Sequence, residues 1–197
     1  MKTKAIFLGA AALTAAGCAT QPAAVVEAPM PAVAAVDPNS PLAAPMYMQM
    51  AASGDLFEIQ SSQLALQMSQ NAGVRAMAQM LIADHTRMSN EMRVAAATAG
   101  LTPPPPALLP HHAQMLEQLR AAAPGTFDLA FRDAQIAAHT EALQLHQNYA
   151  SGGDHPALRA VAARAVPVIQ GHLNHAQTLA APPPTGVLQP ARSGERG

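Results

Sequence analysis

The sequence predicts an all-α protein: a four-helix bundle with one extra short helix in the long connection between its two halves. Three observations carry that prediction. The apolar half of the composition is built from Ala, Leu and Met, with 3% aromatic residues and no Trp, a balance that suits helices better than sheets. Four long stretches repeat apolar residues at helical spacing, and no strand-like alternation emerges. Proline and glycine clusters separate those stretches.

The N-terminus reads as an export signal. Lys2 and Lys4 form a basic end, Ala5 to Leu13 an apolar run, and Thr14 to Gly17 a small-residue approach to cleavage. The run is too short to cross a bilayer as a helix. Ala15-Ala16-Gly17-Cys18 resembles a bacterial lipobox, although Ala15 stands where that pattern prefers Leu. The one cysteine of the chain falls on the position that is lipidated in such signals. It leaves no internal disulfide to consider. The expected division is therefore a signal over 1–17 and a lipidated, Pro/Ala-rich tether over 18–45. Ala19 after the cysteine favours, by the same resemblance, a protein of the periplasm anchored to the outer membrane.

The folded part is expected over 46–181. A first helix over 46–70 carries the stripe Met50, Phe57, Leu64 and Met68, widened by Leu56 and Ile59. Glu58 lies beside that stripe among Ala51, Gly54, Ser61, Ser62 and Ala65, where a carboxylate can face either the core or solvent. Asn71 caps a second helix that ends at Gly100 with a Schellman-like turn. Its stripe is Ala78, Leu81, Ile82, His85, Met88, Ser89 and Met92, apolar except for the serine and one central histidine. The prolines of 102–106 forbid helix, and a short helix over 108–122 follows, with His111 and His112 expected at the surface.

Thr126 is placed to cap a third long helix over 127–150, with the stripe Leu129, Ile136, His139, Leu143 and His146. Asp154 is placed to cap the last, which runs to about 180 with Val161, Ala165, Val168, Ile169, His172, Ala176 and Leu179 on one face. Pro167 inside it predicts a kink one turn before His172. Pro182 to Pro184 end the domain and leave a tail over 182–197 without an apolar pattern. Short turns within each pair and a long crossing between pairs give the arrangement of ferritin-like folds.

Several short runs then acquire a common meaning. Met48 to Glu58, Ala83-Asp84-His85-Thr86, Phe127-Asp128, Ala138-His139 and Pro167-Val168-Ile169-Gln170-Gly171-His172-Leu173 stand in an order and spacing that resembles the ferritin-like domain-of-unknown-function family 4142. The resemblance covers roughly 46–180. It implies a ferritin-like bundle in an outer-membrane or periplasmic protein of bacteria, and it implies no activity.

The sharpest chemical candidate is a transition-metal site from Glu58, His85, His139 and His172, one residue per long helix. Imidazole and carboxylate together suit zinc, iron, manganese or copper, and a bundle core can present them at one height. Asp84 points about 100° away from His85 around the helix and is expected to support a ligand rather than to be one. The alternative is a polar core whose histidines bond to one another and to hydroxyls. His172 with His175, and His139 with His146, are weaker pairs at helical spacing. Paired methionines, such as Met88 with Met92, can ligate Cu(I), but in a chain so poor in aromatics they are expected to fill the core.

Other chemistries are disfavoured. No Glu-x-x-His occurs, so di-iron oxygen chemistry lacks its ligands. No Gly-x-Ser-x-Gly or phosphate-cradling glycine loop is present. Lys2 and Lys4 are the only lysines, which leaves nine arginines against twelve acidic residues, a poor surface for nucleic acid. The expectation is a non-enzymatic envelope protein acting in binding or stress tolerance, or alternatively a bundle that stores, senses or buffers a transition metal, attached to a membrane through its N-terminal lipid.

Overall fold

The structure, a computed structural model, describes residues 36–179. The signal, Cys18, most of the tether and the C-terminal tail lie outside the described residues. Those described form five helices and no strand: α1 (Ala44–Met68), α2 (Ala72–Thr98), α3 (Pro110–Ala121), α4 (Phe127–Gly152) and α5 (Pro156–Thr178). None of these helices is long and apolar enough to cross a membrane.

The helix ends follow from local chemistry. Asn71 Oδ1 accepts from the backbone N–H of Gly73 and Val74, satisfying two of the free donors that open α2. At the other end Gly100 takes φ +72°, and Gly100 N–H and Leu101 N–H reach back to the carbonyls of Ala97 and Ala96. That is the Schellman closure expected there, and a side chain at position 100 would be strained by it. Two expected caps are different. Thr126 Oγ1 donates to the Ala123 carbonyl, so α4 starts without a side-chain cap. Asp154 accepts from the Tyr149 hydroxyl at 2.9 Å, which occupies the carboxylate, and His155 precedes α5 instead. Gly153 is required here by packing, since a Cβ on it would lie 2.6 Å from the Tyr149 ring. Pro167 sits inside α5 on its exposed side and does not end the helix.

Two apolar clusters set the topology. One joins Ala65 near the end of α1, Val74 and Met77 at the start of α2, Phe127 and Phe131 at the start of α4, and Ala176 near the end of α5. The other joins Tyr47 and Met48 of α1, Met92 and Ala96 of α2, Leu145 and Tyr149 of α4, and Leu158 and Val161 of α5. Helices α1 and α2 are therefore one antiparallel hairpin and α4 and α5 the other, with α4 running parallel to α2. The connection after α2 must travel the length of the bundle, as in ferritin-like folds. The prolines and α3 make that crossing, and α3 packs on α1 and α4. Met48, Met77, Met88 and Met92 are buried in the apolar clusters, as core filling requires.

Two stripes are rotated from their expected positions. On α4, Phe127, Phe131, Gln135 and Ala138 face inward while Leu129 is 40% exposed, because two phenylalanines bury more area than one leucine. On α1, Met50, Leu56, Ile59, Leu64 and Met68 are half-buried. The inward face is Tyr47, Ala51, Asp55, Glu58, Ser62 and Ala65. The small residues of that face make room for two carboxylates at mid-bundle.

Candidate metal centre

Between the apolar clusters all four long helices contribute a polar side chain. Asp55, Glu58, His85, His139 and His172 are each buried. The three histidine rings stand 5.3 to 5.5 Å apart between centroids. One nitrogen from each lies within 4.8 Å of the others. Nitrogens bound to one tetrahedral ion lie roughly 3.3 Å apart, so modest ring movements bring this set to bonding distance.

Each ring is oriented through its other nitrogen. His85 Nδ1 donates to Asp55 Oδ1 at 2.8 Å, and Ser89 Oγ donates to Asp55 Oδ2 at 2.7 Å. His139 Nδ1 donates to the Gln135 carbonyl at 2.9 Å. His172 Nε2 donates to Asp84 Oδ2 at 3.0 Å, while Arg87 donates to Asp84 Oδ1 from solvent. What remains is His85 Nε2, His139 Nε2 and His172 Nδ1, buried and without a hydrogen-bond partner among the described residues. Carboxylate or carbonyl behind the ring and a free nitrogen in front is the arrangement that metal-binding histidines adopt.

The protonation states fit. Burial, with the charge of His85 adding to it, pushes His139 down to about 3. Burial also lowers His172, against the pull of its bond to Asp84. Both rings are thus neutral near pH 7 and offer a lone pair. His85 is the exception: burial opposes its charge, but the hydrogen bond and charge of Asp55 outweigh burial and raise it. For Asp84, burial works upward, but bonds from Arg87 and His172 hold the carboxyl below its ordinary value.

Of the residues expected to form the site, His85, His139 and His172 converge. Glu58 does not join that set. Its Oε1 lies 3.4 Å from His139 Nδ1, beside the nitrogen already committed to Gln135. Burial raises its carboxyl to about 8, against the pull of His85 and of the nearby Gln135 side chain, and among the described residues neither oxygen has a hydrogen-bond partner meeting ordinary geometry. Asp84 accepts a hydrogen bond from His172 on α5 rather than orienting its neighbour in sequence. Asp55 was not anticipated. Its signal was available, because Asp55 stands three residues before Glu58 and four after Ala51 on one helical face. The weaker pairs do not form: His146 accepts from the Tyr47 hydroxyl at 3.0 Å, and His175 stays outside the converging set. His112, expected at the surface, is buried with its Nδ1 2.7 Å from Ser53 Oγ, because the crossing connection lays α3 against α1.

A helical bundle with a polar, histidine-lined interior and a ferritin-like crossing is the class of protein this geometry defines. The family described as a domain of unknown function, DUF4142, matches residues 28–179, and the chain belongs to that family. No curated protein matches the chain in sequence. Among solved structures, CopM in its Cu(II)-bound form is similar at TM-score 0.59 and 18% identity, over 68% of this chain and 93% of CopM. The Ag-bound form of CopM gives TM-score 0.57 at 18% identity, over the same shares of the two chains. A DUF305 fragment from Deinococcus radiodurans gives 0.59 at 17% identity, over 70% of this chain and 94% of that one. At such identities the likeness establishes the bundle fold.

Proposed function

We propose that this chain is a transition-metal-binding bundle of the bacterial envelope, which buffers or stores one ion at His85, His139 and His172. One observation carries the reading: three buried imidazoles converge, with one nitrogen of each within 4.8 Å of the others, and each is bonded through one nitrogen while its other has no hydrogen-bond partner among the described residues. Leaving such nitrogens without a partner costs about 1–3 kcal/mol each, and a bound ion is what recovers that cost. A set of three histidines favours borderline divalent ions, copper or zinc, over the carboxylate-rich sites that hold iron pairs. That CopM, a bundle of similar fold, is seen with Cu(II) and with Ag supports the choice of copper. The activity is binding rather than catalysis. In this reading Cys18 is lipidated and residues 18–45 tether the bundle to the outer membrane, facing the periplasm.

The test is elemental analysis of the untagged full chain after equilibration with copper, zinc, iron and manganese in turn, repeated on His139→Ala. Near-stoichiometric copper or zinc, of which the substitution removes one ion per chain, supports the reading. Metal at background in the wild type overturns it and leaves a polar core. For the anchor, Cys18→Ser releases the protein from the membrane fraction; unchanged partitioning would refute lipidation.

A further inference from the structure

A second cluster of donors lies where α3 meets α4. His111 Nε2 and Glu141 Oε1 are 3.0 Å apart, and their side chains are 44% and 41% exposed. His112 completes the group, with one donor atom from each of the three within 4.8 Å of the others. Its ring is fixed on both sides. Phe57 stacks on it at 5.4 Å between centroids, and Nδ1 is bonded to Ser53 Oγ, which also accepts from Leu109 N–H at 2.7 Å. An ion at His112 Nε2 selects the tautomer that donates Nδ1–H to Ser53, the same support from behind that orients the interior rings.

The position of this cluster gives it a role. One cleft is lined by His112 and Glu141 together with Glu58, Asp55 and His85. Of the outer donors His112 and Glu141 line this cleft, and of the interior histidines His85 does, so the cleft links the outer group to the interior site through His85. An ion that must reach a buried site sheds its water in steps, and each step is easier when a protein donor replaces the water lost.

We propose that His111, His112 and Glu141 form an outer site for a divalent transition-metal ion, copper or zinc, and pass that ion along the cleft to the interior histidines. The outer site stands on its own geometry; only the passage rests on the reading of the interior as a metal site. Two imidazoles and one carboxylate form a borderline donor set, so the ion arrives divalent and no electron transfer is involved.

The experiment uses the full chain with Cu(II) or Zn(II) alone. Bound ion is measured by equilibrium dialysis for the wild type, for His111→Ala with Glu141→Gln, and for His139→Ala. The outer substitutions fall on exposed side chains whose ion pair contributes little to folding, so melting temperatures should stay close to that of the wild type. The expected result is two ions in the wild type and one in each variant, with the ion of the outer variant entering several-fold more slowly. An outer variant that binds as many ions as the wild type overturns the outer site. A single wild-type ion that His139→Ala loses and the outer variant keeps overturns it too, while upholding the interior site. A single ion with the opposite pattern upholds the outer site and sinks the interior one. Equal entry rates overturn the passage.

Discussion

The end of the bundle built from Leu81, Leu119, Phe127 and Phe131 and the centre built from Asp55, Glu58, His85, His139 and His172 are equally shielded from water. Their contents are opposite. The apolar end gains from every buried carbon, at roughly 25 cal/mol per Å² removed from water. The centre must offset the desolvation of two carboxyls and three imidazoles, and it leaves five of their N and O atoms without a partner among the described residues. Nothing in folding requires that arrangement, since well-packed apolar residues in place of a buried polar group are often neutral or stabilising. The comparison teaches that the two ends supply the stability and the centre consumes some of it, a cost that under the proposed reading a bound ion offsets.

The largest effect that sharpens this contrast comes from the apolar end. Phe131→Ala should cost about 3–5 kcal/mol of unfolding free energy by denaturant titration and leave metal stoichiometry unchanged in whatever fraction stays folded. Loss of binding without loss of stability would mean that the two layers are not separable. Next comes Asp55→Ala, which strips His85 of its charged partner inside the core. Breaking a buried pair costs about 3–5 kcal/mol at most, and binding should weaken because the ring loses its orientation. Asp84→Asn is the milder counterpart at a half-exposed position. Stability should hardly move, while affinity should fall on the order of 10–100-fold. An unchanged affinity would remove Asp84 from the site.

Glu58 breaks the comparison in the other direction. With burial holding its carboxyl at about 8, the folded chain keeps a proton that the unfolded chain releases near 4.5. The folded state thus binds more protons between those values, and stability falls as pH rises through that window. Glu58→Gln has the shape of the protonated acid and should flatten that fall. Glu58→Met should be neutral or stabilising by about 1–2 kcal/mol near pH 7, as read from the denaturation midpoint. Marked destabilisation would show that the carboxyl holds the fold together.

Most of the fold was legible in the sequence because its signals are local. The cap at Asn71, the turn at Gly100 and the stripe of α2 each depend on residues a few positions apart. The stripes of α1 and α4 were harder for one physical reason. A search for apolar residues finds Met50 and Leu64 or Leu129, whereas the fold turned inward the face with space for polar groups or for the larger rings. The histidines at 85, 139 and 172 could be named because each interrupts an apolar face. Their partners could not all be named, since Asp84 serves a histidine 88 positions away. The burial of His112 was out of reach for the same reason, because Ser53 lies 59 residues earlier.

A last effect, confined to acid pH, concerns His146, which is buried beside Tyr47 at the far end of α4 from its phenylalanines. Burial pushes it down to about 4, with His85 adding to that, while Asp55 pulls the other way. It accepts from the Tyr47 hydroxyl, whose own proton burial holds firmly in place. An unfolded histidine binds its proton near 6.5, so between about 6.5 and 4 the unfolded chain binds more protons than the folded one. Stability should therefore drop as pH falls through that window, by on the order of 2–3 kcal/mol from this residue. His146→Gln keeps an acceptor for Tyr47 but cannot take up the proton, and unfolding titrations at pH 4, 5 and 6.5 should show a shallower decline. If the decline is as steep in the variant, acid sensitivity arises from His139 or His112 instead. The polar centre would then be more acid-labile than the flank that His146 shares with Tyr47 and Tyr149.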